Sequence, residues 1–149
     1  MTRNTYNGMI HYYFCVIINV QLRETNDMSV RNLSTEEFKN EVFDYTTEKE
    51  WNFKGSKPAI IDFYADWCGP CKMLSPILEE LAGEQGDKVD FFKVDTEVEQ
   101  ELAAVFGIRS IPSILFIPVN DTPIMQPGLL PKNVLENIIK EKLLVETTA

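Results

Sequence analysis

Ala59-Ile-Ile-Asp-Phe-Tyr64, followed two residues later by Trp67-Cys68-Gly-Pro-Cys71-Lys72, is the stretch that decides the fold. Residues 59–64 form a nearly continuous apolar run, as in a central strand covered on both faces. The period then changes. Met73, Leu74, Ile77, Leu78 and Leu81 recur at helical spacing and predict one buried stripe. Pro76 inside that stripe predicts a kink. The two cysteines therefore fall where a buried strand gives way to a helix. A C-x-x-C at such a place, near a strand–helix–strand pattern, reads as a dithiol redox site. Cys68 is expected at the helix N-terminus, where unpaired N–H groups and the helix dipole stabilise a thiolate. Cys71, one turn on, is expected within reach of Cys68 and more buried. Cys68 is thus the expected attacking sulfur and Cys71 the resolving one. Gly69 and Pro70 close the small ring and fix the first helical turn.

The surrounding chain supplies the rest of an α/β sheet. Val30–Leu33 reads as a short strand, and Ser34-Thr-Glu-Glu37 matches a capping box opening a helix through Phe38, Val42 and Phe43. Residues 44–57 are polar, with Trp51 and Phe53 spaced to share a face of a short strand or hairpin arm. Val89–Val94 reads as a strand. Val98, Leu102, Val105 and Phe106 predict a helical face ended by Gly107. Ser113–Ile117 is a strand between two prolines, with a short partner centred on Ile124-Met125 after the turn chemistry of residues 120–123. A last helix is expected from Pro131, burying Val134, Leu135, Ile138, Ile139 and Leu143. A strand–helix–strand core, then a hairpin and a capping helix, imply an α/β sheet of mixed direction.

The 149 residues suit one domain, and 44% hydrophobic with 25% charged residues is ordinary for a globular chain with a real core. The net charge of -9 argues against nucleic acid or an anionic membrane as main partner. Three cysteines are too few for a disulfide scaffold. Residues 1–27 stand apart, because Arg3 and Arg23 balance Glu24 and Asp27 and all net charge lies in 28–149. Their apolar run, Met9–Ile18, is shorter than the ~20 residues a bilayer span needs, so no stable membrane insertion is expected. Three readings of this extension stay open: a start placed upstream of a true first residue at Met28, a degenerate export signal, or an extra strand.

Residues 59–128 resemble the thioredoxin family. Ile60 to Met73 carries that family's C-G-P-C signature almost unaltered, Gly107-Ile-Arg-Ser-Ile-Pro112 is similar to its cis-proline loop, and Gly128 falls where the family has a glycine beside the site. The likeness covers nearly all of 28–149. It implies a thioredoxin-like fold, a central mixed sheet flanked by helices on both faces. The departures are the extension, the longer 44–57 stretch, Ser110 for a usual glycine, and Pro127.

The resemblance adds roles. Asp62 matches a buried aspartate, and a carboxyl inside Ile60–Phe63 is anomalous on its own terms because burying charge is costly. Burial would raise its pKa and suit it to accept the Cys71 proton; a solvated strand-end aspartate is the plain alternative. Lys93 matches a lysine near that aspartate, or is a surface lysine. Pro112 matches a cis-proline packed on the disulfide. Trp67, Gly69, Pro70, Ile111, Pro112 and Gly128 would form the client-binding surface, with the Ile111 backbone pairing with an extended segment.

The implied activity is reduction of disulfides in client proteins by dithiol–disulfide exchange. No cofactor beyond the Cys68–Cys71 disulfide is expected, the expected donor is a thioredoxin reductase, and a cytoplasmic monomer is expected. If residues 1–27 act as an export signal, the setting is periplasmic and an oxidase or isomerase becomes the rival. Zinc is disfavoured because only Cys15 and His11 remain to complete four ligands. A non-catalytic binding module would have lost a cysteine or the proline.

Overall fold

The computed structural model describes residues 28–145. The readings of residues 1–27 lie outside the described residues. The elements are β1 (Arg31–Asn32), α1 (Thr35–Glu41), β2 (Ala59–Tyr64), α2 (Gly69–Gln85), β3 (Asp90–Asp95), α3 (Gln100–Val105), β4 (Ser113–Ile117), β5 (Ile124–Pro127) and α4 (Lys132–Ile138). A π-helical turn, Ile139–Leu143, continues α4.

The sheet runs β1-β3-β2-β4-β5. β1 and β2 both pair in parallel with β3, while β4 is antiparallel to β2 and β5 to β4. Strand alternation divides the core in two. Ile60, Phe91, Ile114 and Phe116 pack with Leu74, Leu78 and Leu81 of α2 and Leu135 of α4. Ile61, Phe63, Val94, Leu115 and Ile117 face the other way, onto Phe38 of α1 and Leu102 of α3. Helices therefore cover both faces, and β2 is buried at five of six positions. Asp62 takes the Ile60 side of its strand, so it faces α2 rather than α1.

Local signals behave as the physics requires. Ser34 Oγ accepts from the Glu37 N–H at 3.3 Å and Glu37 accepts from the Ser34 N–H at 2.8 Å, closing the capping box. Gly107 ends α3 with φ +62°, a left-handed conformation natural to glycine.

Four expectations are corrected. Residues 44–57 form turns and loop, with no strand among them. Trp51 packs on Phe43 instead, ring centroids 4.7 Å apart, and both lie against the α1-side core. The loop is held by the Lys54 N–H donating to the Val42 carbonyl at 2.9 Å rather than by a strand partner. Met73 leaves the buried stripe and is 62% exposed, because α2 turns only its Leu74–Leu78–Leu81 line to the sheet. Val98 precedes α3 and Val105 ends it, and both are exposed; Leu102 is the buried residue of that short helix.

Candidate active site

Register brings three loops to one edge of the sheet. Phe63 of β2 stands opposite Ser113, the first residue of β4, and Ser113 opposite Pro127, the last of β5. The chain leaving β2 toward Cys68, the chain entering β4 through Ile111-Pro112, and the chain leaving β5 through Gly128 therefore meet. The Ile111–Pro112 peptide is cis. Gly128, at φ +95°, donates its N–H to the Pro112 carbonyl at 2.8 Å and ties two of these loops together. Ser113, buried, donates its hydroxyl to the Ser110 carbonyl at 2.7 Å, holding the loop from within.

Cys68 and Cys71 form a disulfide. Cys68 is the N-cap of α2, with extended backbone, and its Sγ accepts from the Cys71 N–H at 3.2 Å. This is a position where a helix end favours negative charge. Cys68 Sγ lies 3.7 Å from the Ile111 carbonyl oxygen, beside the cis-proline loop. Exposure does not separate the cysteines as expected: Cys68 is 4% and Cys71 3% exposed. Their surroundings do. Cys68 faces the loop edge, whereas Cys71 borders an inner cavity of about 190 Å³ with Asp62, Tyr64, Ala65, Asp66, Lys72, Ser75 and Lys93.

Asp62 is 3% exposed, and its Oδ1 has no hydrogen-bond partner among the described residues. Burial pushes its carboxyl up to about 7, against a smaller downward pull from Lys93. Asp62 and Lys93 are register partners on β2 and β3, so the lysine belongs to the same cavity, its Nζ 6.0 Å from the Tyr64 ring centroid.

Around the disulfide, Gly69 and Pro70 are exposed, Ile111 and Gly128 half-buried, and Pro112 buried. Trp67 is 70% exposed, yet its Nε1 donates to Glu97 at 3.1 Å. Beyond it a groove of about 380 Å³ runs along Thr96, Gln100, Ala103, Ala104 and Ile108 to Ile111. Glu97, Ser75 and this groove were not legible in sequence, because none shares a local pattern with Cys68. Among the described residues no group of three or more His, Cys, Asp or Glu is placed to hold a metal ion. No helix among them is long and apolar enough to cross a membrane.

Comparison with known proteins gives a consistent result. The Thioredoxin family model matches residues 29–141. A thioredoxin of Borreliella burgdorferi is 53% identical over 110 residues, covering 74% of this chain and 94% of that one. A thioredoxin of Bacillus subtilis is 37% identical over 98 residues, 65% of this chain and 94% of its own length. The crystal structure of Malassezia sympodialis thioredoxin superposes with a TM-score of 0.60 at 32% identity, over 75% of this chain and 90% of that one. With a redox dithiol at the start of α2 and relatives this similar, the chain belongs to the thioredoxin family and is a protein-disulfide reductase acting by thiol–disulfide exchange through Cys68 and Cys71.

Proposed function

We propose a division of labour in which the Cys68 thiolate attacks a client disulfide and Cys71 resolves the product. The Cys68 sulfur attacks one client sulfur, the client S–S bond breaks, and the departing client thiolate takes up a proton. Asp62, ionised, then accepts the Cys71 proton. The Cys71 thiolate attacks Cys68, the mixed disulfide breaks, and the client leaves fully reduced while Cys68–Cys71 closes. The supporting observation is the asymmetry around two equally buried sulfurs: Cys68 caps α2 beside the Ile111 carbonyl, and Cys71 borders the Asp62 cavity. Lys93 tunes Asp62 from the adjoining strand.

Trp67, Gly69, Pro70, Ile111, Pro112 and Gly128 form the client surface in this reading, with the Ile111 backbone pairing with an extended client segment. Clients are proteins carrying disulfides, and a thioredoxin reductase supplies the electrons. The working unit is residues 28–149, acting as a monomer in the cytoplasm without a bound cofactor. Insulin reduction with dithiothreitol or a reductase as donor tests the reading. Cys71→Ser is expected to accumulate mixed disulfides on non-reducing gels and Cys68→Ser to accumulate none; equal trapping overturns the division of labour. Recovery outside the cytoplasm of a chain cut between Asn19 and Ser29 overturns the assigned compartment.

A further inference from the structure

Asp62 must give up each proton it accepts before it can act again. The groups around it show a route. The cavity of about 190 Å³ beneath the disulfide is large enough for water, and Asp62, Tyr64, Asp66, Lys72, Ser75 and Lys93 bring polar atoms to it. The buried Asp62 Oδ1 on it has no hydrogen-bond partner among the described residues. Ser75, one helical turn beyond Cys71 and half-buried, lines the same cavity and brings a hydroxyl to it. Pro76 has no N–H for the Lys72 carbonyl, so a further acceptor on this turn of α2 lacks its helical donor. Lys72 and Asp66 at the outer side of the cavity are exposed, so the cavity opens to solvent there.

We propose that Ser75 is a positioning residue for proton release: its hydroxyl orders a short water chain from Asp62 Oδ1 to solvent, past Lys72. This rests on Asp62 being the proton acceptor. Cys71-SH and the Asp62 carboxylate become the Cys71 thiolate and the carboxylic acid. The acid then returns its proton through the water chain to bulk buffer, and the carboxylate is restored. A serine hydroxyl both donates and accepts, so it can relay within such a chain without net change. The titratable and charged groups that share the cavity with Asp62 are Lys93 from β3, Tyr64 and Asp66 from the end of β2 and the chain beyond it, and Lys72 from α2; of these Lys93 pulls its carboxyl down against burial.

The test is a rapid acid-quench with a pH jump: reduced full-length protein held at about pH 5.5, where Asp62 carries its proton, is mixed with a synthetic peptide disulfide in buffer at pH 6–9, so that decay of the mixed disulfide waits on release of that proton. Positioned proton transfer contributes about 10²–10⁴-fold, and the chain carries part of it. Ser75→Ala is expected to slow the resolving step about 3- to 10-fold near pH 7. Formation of the mixed disulfide should be unchanged, the solvent isotope effect should rise, and imidazole buffer should restore the rate. Ser75→Thr, which keeps the hydroxyl, should behave as wild type. Asp62→Asn is run alongside. If Asp62→Asn slows resolution and Ser75→Ala matches wild type in rate, isotope effect and buffer dependence, the Ser75 role is wrong and the acceptor stands. If Asp62→Asn leaves resolution unaltered, the acceptor itself is wrong and the Ser75 role falls with it.

Discussion

Asp62 and Lys93 stand side by side on β2 and β3, a buried carboxyl and an ammonium facing one cavity in which burial outweighs the attraction. The folded-state pKa of Asp62, about 7, therefore lies above its ordinary 3.8. The unfolded chain releases this proton first as pH rises. The stability associated with Asp62 is full below about pH 4, declines between about 4 and 7, and stays lost above. At about 1.4 kcal/mol per tenfold change, the window spans up to about 4 kcal/mol. Asp62→Asn cannot ionise and should escape the decline. Its melting temperature should exceed wild type by roughly 10 °C at pH 8 and by little at pH 4. Unfolding of the oxidised proteins across pH 4–9 measures this; parallel curves would count against a buried, protonatable Asp62.

Lys93→Met removes the one group that pulls the Asp62 pKa down. The midpoint of the stability decline should move upward, and with it the pH at which the resolving step reaches half its maximum. Titrating the Asp62 carboxyl by carbon-13 NMR in both proteins reads this directly. An unmoved midpoint would make Lys93 electrostatically irrelevant to the site.

Cys68→Ser should abolish insulin reduction without unfolding the protein. Cys68 caps α2 by accepting the Cys71 N–H, and serine is among the best N-cap residues. The reduced wild type and the variant should differ in unfolding free energy by less than about 1 kcal/mol. A lost fold would show that the sulfur is needed for more than capping and chemistry.

Gly69 and Gly128 flank the same disulfide but should respond oppositely to alanine. A Cβ at either meets no atom within 4 Å, so space is not the issue. Gly69 has ordinary helical backbone, and Gly69→Ala should leave stability unchanged or slightly raised. Gly128 has φ +95°, and Gly128→Ala should cost about 1–2 kcal/mol. Urea midpoints of the two variants separate these cases.

Trp51 is a structural residue at the end of the sheet away from the cysteines, beside the chain leaving β4. Its indole N–H is buried without a hydrogen-bond partner among the described residues. Trp51→Phe loses little polar bonding and should cost less than about 1.5 kcal/mol, whereas Trp51→Ala should cost about 3 kcal/mol. Both should reduce insulin at the wild-type rate per folded molecule. A selective loss of rate would bring the 44–57 loop into the reaction.

Nearest neighbours and periodicity control the features that could be read along the chain. Residues 59–64 read as a buried strand, and Cys68-Gly-Pro-Cys71 at the next helix start located the chemistry. The capping box at Ser34–Glu37 and the stop at Gly107 followed from hydrogen bonds within a few residues. The buried aspartate was legible because a lone carboxylate among apolar neighbours has no local remedy. Packing between distant segments settled the rest. Met73 and Val98 fit a helical stripe, but only packing says which side of that stripe meets the sheet. Trp51 and Phe53 had strand spacing, yet no edge was offered to them, and Phe43 captured the indole instead. Exposure could not rank the cysteines; that rests on what each sulfur faces, the Ile111 carbonyl or the Asp62 cavity. Ser75 and Glu97 gained a relation to the site only when the folded chain placed them beside Asp62 and Trp67, a proximity no local spacing encodes.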